Sequence, residues 1–102
     1  MLDATGERVE FEWDDEKAAS NLRKHGVAFE DAMAVFDDER AMTDPATSVV
    51  EMRLKTTGYA DAYALLTVIH TTRRQGDLLI VRIISARPAS RRERREYGNR
   101  QA

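Results

Sequence analysis

Two runs rich in β-branched and aliphatic residues, 62–71 and 78–85, flank Arg73-Arg74-Gln75-Gly76. Each run is too short to span a bilayer, and two such runs joined by a short glycine-containing link read as a β-hairpin. A hairpin alone is at best marginal in water, so further strands or helices must cover its apolar face. The patterning of the rest of the chain says what that cover is.

Val9-Glu10-Phe11-Glu12-Trp13 alternates apolar and acidic residues, as a half-buried strand does. Asp14 suits a helix N-cap, with Asp15 and Glu16 in the first turn, where the helix dipole favours anions. That helix is expected to run to about His25 and stop at Gly26. Lys17, Asn21, Lys24 and His25 are spaced to share one side of it. Phe29, Ala32, Met33 and Phe36 mark a second amphipathic helix over 29–36. Residues 40–43 read as a short strand broken by Asp44-Pro45, 49–57 as a loosely alternating strand, and 58–61 as a turn. Pro88 and Ser90 open a last helix; Ser90-Arg91-Arg92-Glu93 fits a capping box and Gly98 fits the helix end. The expected fold is α+β: a mostly antiparallel sheet packed against two N-terminal helices, with one Arg-rich C-terminal helix. A single domain over 9–100 is expected, preceded by a loose segment, 1–8.

With 102 residues, 42% hydrophobic and 33% charged, the chain suits one soluble domain with a modest core. It has no cysteine, which excludes disulfides and thiolate metal sites. Two histidines and scattered acids form no metal-ligand pattern, so neither metal nor cofactor is expected. The first residues lack the apolar core of a signal peptide, and no run is long enough for a membrane span; the expected location is the cytoplasm. Charge is divided unevenly. Residues 1–72 hold 7 Lys/Arg against 15 Asp/Glu, a balance of −8; residues 73–102 hold 9 Arg against 3 acids, a balance of +6. A basic end of this kind can grip a polyanion even though the whole chain carries only −2. All nine cations there are Arg, whose planar fork matches phosphate and can stack on bases. A solvated, charge-rich helix is the plainer reading of the same residues.

Two separated blocks resemble one family. Trp13-Asp14, Lys17, Asn21, Lys24-His25-Gly26-Val27, Phe29-Glu30, Ala32 and Val35-Phe36 follow the first pattern of the BrnT toxins. Glu51, Arg53, Gly58, His70-Thr71, Arg82-Ile83-Ile84-Ser85-Ala86-Arg87, Ala89, Glu93-Arg94 and Tyr97 follow the second, in order and spacing. The likeness covers roughly residues 10–97. Ala28 stands where the family often has a serine able to cap the second helix, and the turn region 71–78 looks long. The resemblance implies a RelE-like fold and a ribonuclease toxin of a type II toxin–antitoxin operon. It also implies neutralisation by a BrnA-like antitoxin with a ribbon-helix-helix domain, which contacts operator DNA on behalf of the pair.

Metal-free RNA cleavage needs a base for the 2′-OH, an acid for the departing 5′-oxygen and cations for the charged transition state. Arg82 interrupts an otherwise aliphatic strand, where a charge must be paired, exposed or functional. Arg87 lies at the strand–helix junction, a plausible anion site. His70, near a strand end, is either a satisfied sheet histidine or the acid–base partner of Arg82, if the register sets both on one face. Tyr97 could donate a proton, stack a base or anchor its helix. These four, His70, Arg82, Arg87 and Tyr97, are the candidate catalytic residues. Arg53, Arg73, Arg74, Arg91, Arg94 and Arg95 are candidate RNA-binding residues, with Arg73 and Arg74 expected in the hairpin turn. Glu93 fits a cap better than a general base, and His25 fits the stabilisation of a helix end better than chemistry. A non-catalytic nucleic-acid-binding module, or a corepressor of the antitoxin, is the alternative reading.

Overall fold

The computed structural model describes residues 2–46, 52–61 and 63–100. The hairpin is its centre, and it is longer than expected. β-strands Ala64–Gln75 and Leu78–Pro88 pair antiparallel from Leu66↔Pro88 to Gln75↔Leu78. The chain reverses at Gly76, whose φ of +64° is open to glycine at no steric cost, and Asp77. Arg73 and Arg74 therefore lie within a strand and not in the turn.

In chain order the elements are β1 (Val9–Glu12), α1 (Asp15–His25), α2 (Phe29–Ala32), a 3-10 segment (Met33–Asp37), β2 (Met42–Ala46), β3 (Arg53–Ala60), β4 (Ala64–Gln75), β5 (Leu78–Pro88) and α3 (Arg91–Arg100). The α+β class holds. The sheet order is β1-β5-β4-β3-β2. All pairs are antiparallel except β1 with β5, which is parallel from Val9↔Leu79 to Glu12↔Arg82. A parallel pair needs a crossover, and the intervening helices and strands supply it.

Local capping chemistry sets the helix ends. Asp14 accepts from the Glu16 and Lys17 amides at 2.8 and 3.1 Å, and Gly26 closes α1 at φ +70°. Ala28 offers no side-chain cap, and after one α turn the expected second helix tightens into the 3-10 segment. At α3 the capping box is complete: Glu93 N–H donates to Ser90 Oγ at 3.1 Å, and Ser90 N–H donates to Glu93 Oε1 at 2.8 Å. Gly98 does not end this helix, which runs to Arg100.

Two strand expectations are corrected. β2 continues through Asp44-Pro45 to Ala46; as an edge strand it has no outer partner awaiting a proline N–H. Gly58 lies inside β3, not in a turn. A Cβ there would sit 2.9 Å from Val35 Cγ1 and 3.1 Å from Val35 O, so it is the 3-10 segment's close approach that requires glycine. Part of the expected 49–57 strand lies outside the described residues. Residues 2–8 make a turn in which Asp3 Oδ1 accepts from the Thr5 and Glu7 amides and the Thr5 hydroxyl, at 2.7–2.9 Å.

The helices divide between the two sheet faces. Val9, Leu66, Val68, Val81, Ile83 and Ala86 meet Val27, Phe29, Ala32 and Val35 in the core. Trp13 meets Phe29 edge-on at 5.8 Å, and Phe11 meets Phe36 at 5.2 Å. On the other face, α3 lies over β3 and β4, bound to Lys55 and Thr67 through Glu93. β1 reaches only to Glu12, so the outer edge of β5 beyond Arg82 has no strand beside it. Asn21 of α1 takes that place. Its carboxamide donates to Ala86 O at 2.8 Å and accepts from Ala86 N at 3.1 Å, and also donates to Val27 O at 2.9 Å.

Candidate functional site

A β-bulge arranges the basic residues. Pairing moves from Ile69↔Ser85 to His70↔Ile83, which leaves Ile84 as an extra residue in β5. Simple alternation would send Arg82 and Arg87, five positions apart, to opposite faces. With Ile84 inserted both lie on the face that carries α3, Arg82 opposite Thr71 and Arg87 opposite Thr67. Arg73 of β4 and Arg53 and Lys55 of β3 belong to the same face by alternation.

Two carboxylates organise this face. Glu12, at the end of β1, takes a bidentate pair from Arg73 at 2.9 and 3.0 Å and a third bond from Arg82 at 3.1 Å. Hydrogen bonds from Arg73 and then Arg82 hold its carboxyl down at about 2. Glu93 is nearly enclosed, with a side chain 5% exposed. It receives Arg87 at 2.7 and 3.0 Å, Thr67 Oγ1 at 2.9 Å and Lys55 at 3.4 Å. Arg87 above all keeps Glu93 ionised far below the ordinary carboxylate range, and Glu93 in turn raises Arg87. Two cations surround each carboxylate, so each cluster keeps one unit of positive charge. Arg82 and Arg73 remain half exposed, at 44% and 54% of their side chains.

His70 does not join them. It alternates with Leu66 and Val68 on the core face, with the sheet between it and Arg82. It is 2% exposed; Nε2 bonds Thr56 Oγ1 at 2.8 Å, the Phe36 ring meets it edge-on at 5.1 Å, and Nδ1 has no hydrogen-bond partner. Burial pushes the imidazole down to about 4, with the neighbouring Thr71 backbone pulling the other way. The expected diagonal between His70 and Arg82 is therefore absent, because the register turns the imidazole inward. Tyr97 is half-buried and donates to Asp38 Oδ2 at 2.7 Å; burial and Asp38 raise it to about 12. Arg74, one residue from Arg73, faces the other way and pairs with Glu7. Arg91, Arg94 and Arg95 are exposed along α3. The charge of Arg82 is thus both paired, with Glu12, and half exposed.

Sequence reasoning missed Glu12, Lys55 and Ser85. Alternation in Val9–Trp13 does set Glu12 apart from the apolar residues, but no local signal pairs residue 12 with residue 82. Among the described residues, Arg82 and Arg87 line none of the four cavities, and both side chains are partly open to solvent on the sheet surface. Among the described residues no group of histidines and acids could hold a metal ion, and no helix is long and apolar enough to cross a membrane.

The chain is similar to the crystal structure of the Brucella abortus ribonuclease toxin BrnT. The TM-score is 0.59 at 27% identity, over 82% of this chain and 99% of that one. Comparison with curated protein sequences gives no match. The family model described as "Ribonuclease toxin, BrnT, of type II toxin-antitoxin system" matches residues 13–93, which include Lys55, Arg73, Arg82, Arg87 and Glu93 and begin one residue after Glu12. This chain belongs to the BrnT family of ribonuclease toxins of type II toxin–antitoxin systems.

Proposed function

We propose that this chain is a metal-independent, RelE-like endoribonuclease that arrests translation and growth by cutting RNA in the cytoplasm. Its partner is a BrnA-like ribbon-helix-helix antitoxin that neutralises it and carries the pair to operator DNA. The observation that carries the reading is the pair of clusters on the arginine face, each with more cations than carboxylates. A phosphodiester approaching this face meets guanidinium groups already oriented by Glu12 and Glu93. In the reaction the 2′-oxygen attacks the adjacent phosphorus and gives its proton to water; the bond from phosphorus to the 5′-oxygen breaks, that oxygen takes a proton from water, and a 2′,3′-cyclic phosphate remains. Charge on the phosphorane-like transition state is the quantity such a face stabilises best. Arg82 and Arg73 take the central role, Arg87 supports it, and Arg53, Arg91, Arg94 and Arg95 hold flanking backbone. His70, behind the sheet, and Tyr97, whose proton is engaged by Asp38, are left out of the chemistry.

Expression without antitoxin should arrest growth, and the purified chain should cut RNA in the presence of EDTA. Arg82→Gln should lower cleavage by on the order of 100-fold while the unfolding transition is kept. Undiminished cleavage by folded Arg82→Gln overturns the site. Tight RNA binding with no cleavage by the unaltered chain replaces the enzyme with the binding module.

A further inference from the structure

The stripe Lys17, Asn21, Lys24 and His25 of α1 has so far been used only at Asn21. A cavity of about 180 Å³ lies where this stripe meets the bulge, lined by Lys17, Ser20, Asn21, Lys24, His25, Ile84 and Ser85. Ser85 belongs to two places at once. It lines this cavity, and its pairing with Ile69 sets it on the sheet face between Arg82 and Arg87. The bulge that gathers the arginines thus also joins them to the cavity.

The cations here are in a different state from those on the sheet. Arg73, Arg82 and Arg87 each hold a carboxylate. The side chains of Lys17, Lys24 and His25 have no ion-pair partner among the described residues, and no acid lines the cavity. Lys24 and His25 are in the last turn of α1, where a cation stabilises the helix dipole. Lys17 is in the first turn, where the dipole disfavours it, so helix stability does not account for its place.

We propose that this cavity is a phosphate subsite for single-stranded RNA, continuous with the arginine face. The ammonium groups of Lys17 and Lys24, the His25 ring and the hydroxyls of Ser20 and Ser85 together receive the non-bridging oxygens of one backbone phosphate. The proposal rests on the RNA reading of the preceding subsection. RNA is favoured over a protein partner because the hollow is small, and because a linear polyanion is the ligand that needs successive cationic stations along one path.

The test uses the full chain and a labelled oligonucleotide carrying 2′-O-methyl groups throughout, which cannot be cut, titrated over a series of salt concentrations. Lys17→Gln/Lys24→Gln should weaken binding roughly tenfold at low salt and flatten the log–log salt slope by about 0.7, the share of one phosphate on a single strand. Both lysines are exposed, so the urea midpoint should stay in place. Arg82→Gln is measured beside it. If only Arg82→Gln binds weakly, the subsite is overturned and the arginine face stands. If only the lysine variant binds weakly, the subsite stands and the arginine face falls. Unchanged binding by both variants overturns both. Unchanged RNA binding by the lysine variant with lost antitoxin binding also overturns the subsite and assigns the cavity to the protein partner.

Discussion

Asn21 pairs with Ala86 as a neighbouring strand would, donating to its carbonyl and accepting from its amide. An uncovered strand edge presents unpaired N–H and C=O groups, and one carboxamide from α1 answers both at the point where β1 has ended. Asn21→Ala takes the carboxamide from one buried donor, the Ala86 amide, and two acceptors, the Ala86 and Val27 carbonyls, at about 1–3 kcal/mol for each group that water does not reach. The expected loss is about 2–4 kcal/mol of unfolding free energy, read from urea denaturation. A loss below about 0.5 kcal/mol would mean that water replaces the carboxamide at this edge.

Gly58→Ala places a methyl group 2.9 Å from Val35 Cγ1 and 3.1 Å from the Val35 carbonyl. The backbone oxygen cannot swing aside as a flexible side chain would. A cost of about 1–3 kcal/mol is expected, as for other overpacked cores. Val35→Ala in the same chain should recover part of it, because it removes the nearer of the two contacts.

His70 makes stability depend on pH. Burial holds its folded pKa near 4, against an ordinary value of 6.5. Between these values the unfolded chain binds the proton and the folded chain does not, so stability is full above pH 6.5 and declines as pH falls toward 4. The whole effect is about 3 kcal/mol, of which about 2 kcal/mol is lost between pH 7 and pH 5. Urea unfolding at the two pH values should show this, and His70→Gln should remove that part of the slope. An unchanged slope in His70→Gln would locate the pH dependence elsewhere.

Glu12 restrains the arginines it orders. Glu12→Gln removes the carboxylate shared by Arg73 and Arg82 and leaves their guanidinium groups free for phosphate. Binding of the uncleavable oligonucleotide should tighten a few-fold at low salt, with a steeper salt dependence. Weaker binding would mean that orientation by Glu12 matters more than the charge it cancels.

The parts of the fold that sequence reveals are those decided by near neighbours. Asp14 and Gly26 bound α1, Ser90 and Glu93 cap α3, and residues 64–75 and 78–88 form the hairpin because each depends on chemistry within a few positions. The arginine face was legible as a charge excess but not as a geometry. One additional residue, Ile84, sets Arg87 beside Arg82, and the unbroken alternation of β4 turns His70 into the core. A bulge leaves no compositional mark in a stretch as uniformly apolar as Ile83-Ile84. Gly58 looked like a turn because its true reason, the approach of Val35, comes from a segment distant in sequence. Glu12 was invisible as a partner for the same cause, since a parallel contact between residues 12 and 82 has no local signature.

The parallel seating of β1 against β5 has a consequence for how the molecule is made. β1 finds its place only when β5, some seventy positions later, has been synthesised, because Val9 docks on Leu79 and Glu12 on Arg82. Closing so long a loop precedes any gain from the contact. A nascent or truncated chain that stops before residue 78 lacks both the seat for its own beginning and the two β5 arginines. Such a fragment has no arginine face, and on the proposed function it cannot cut RNA.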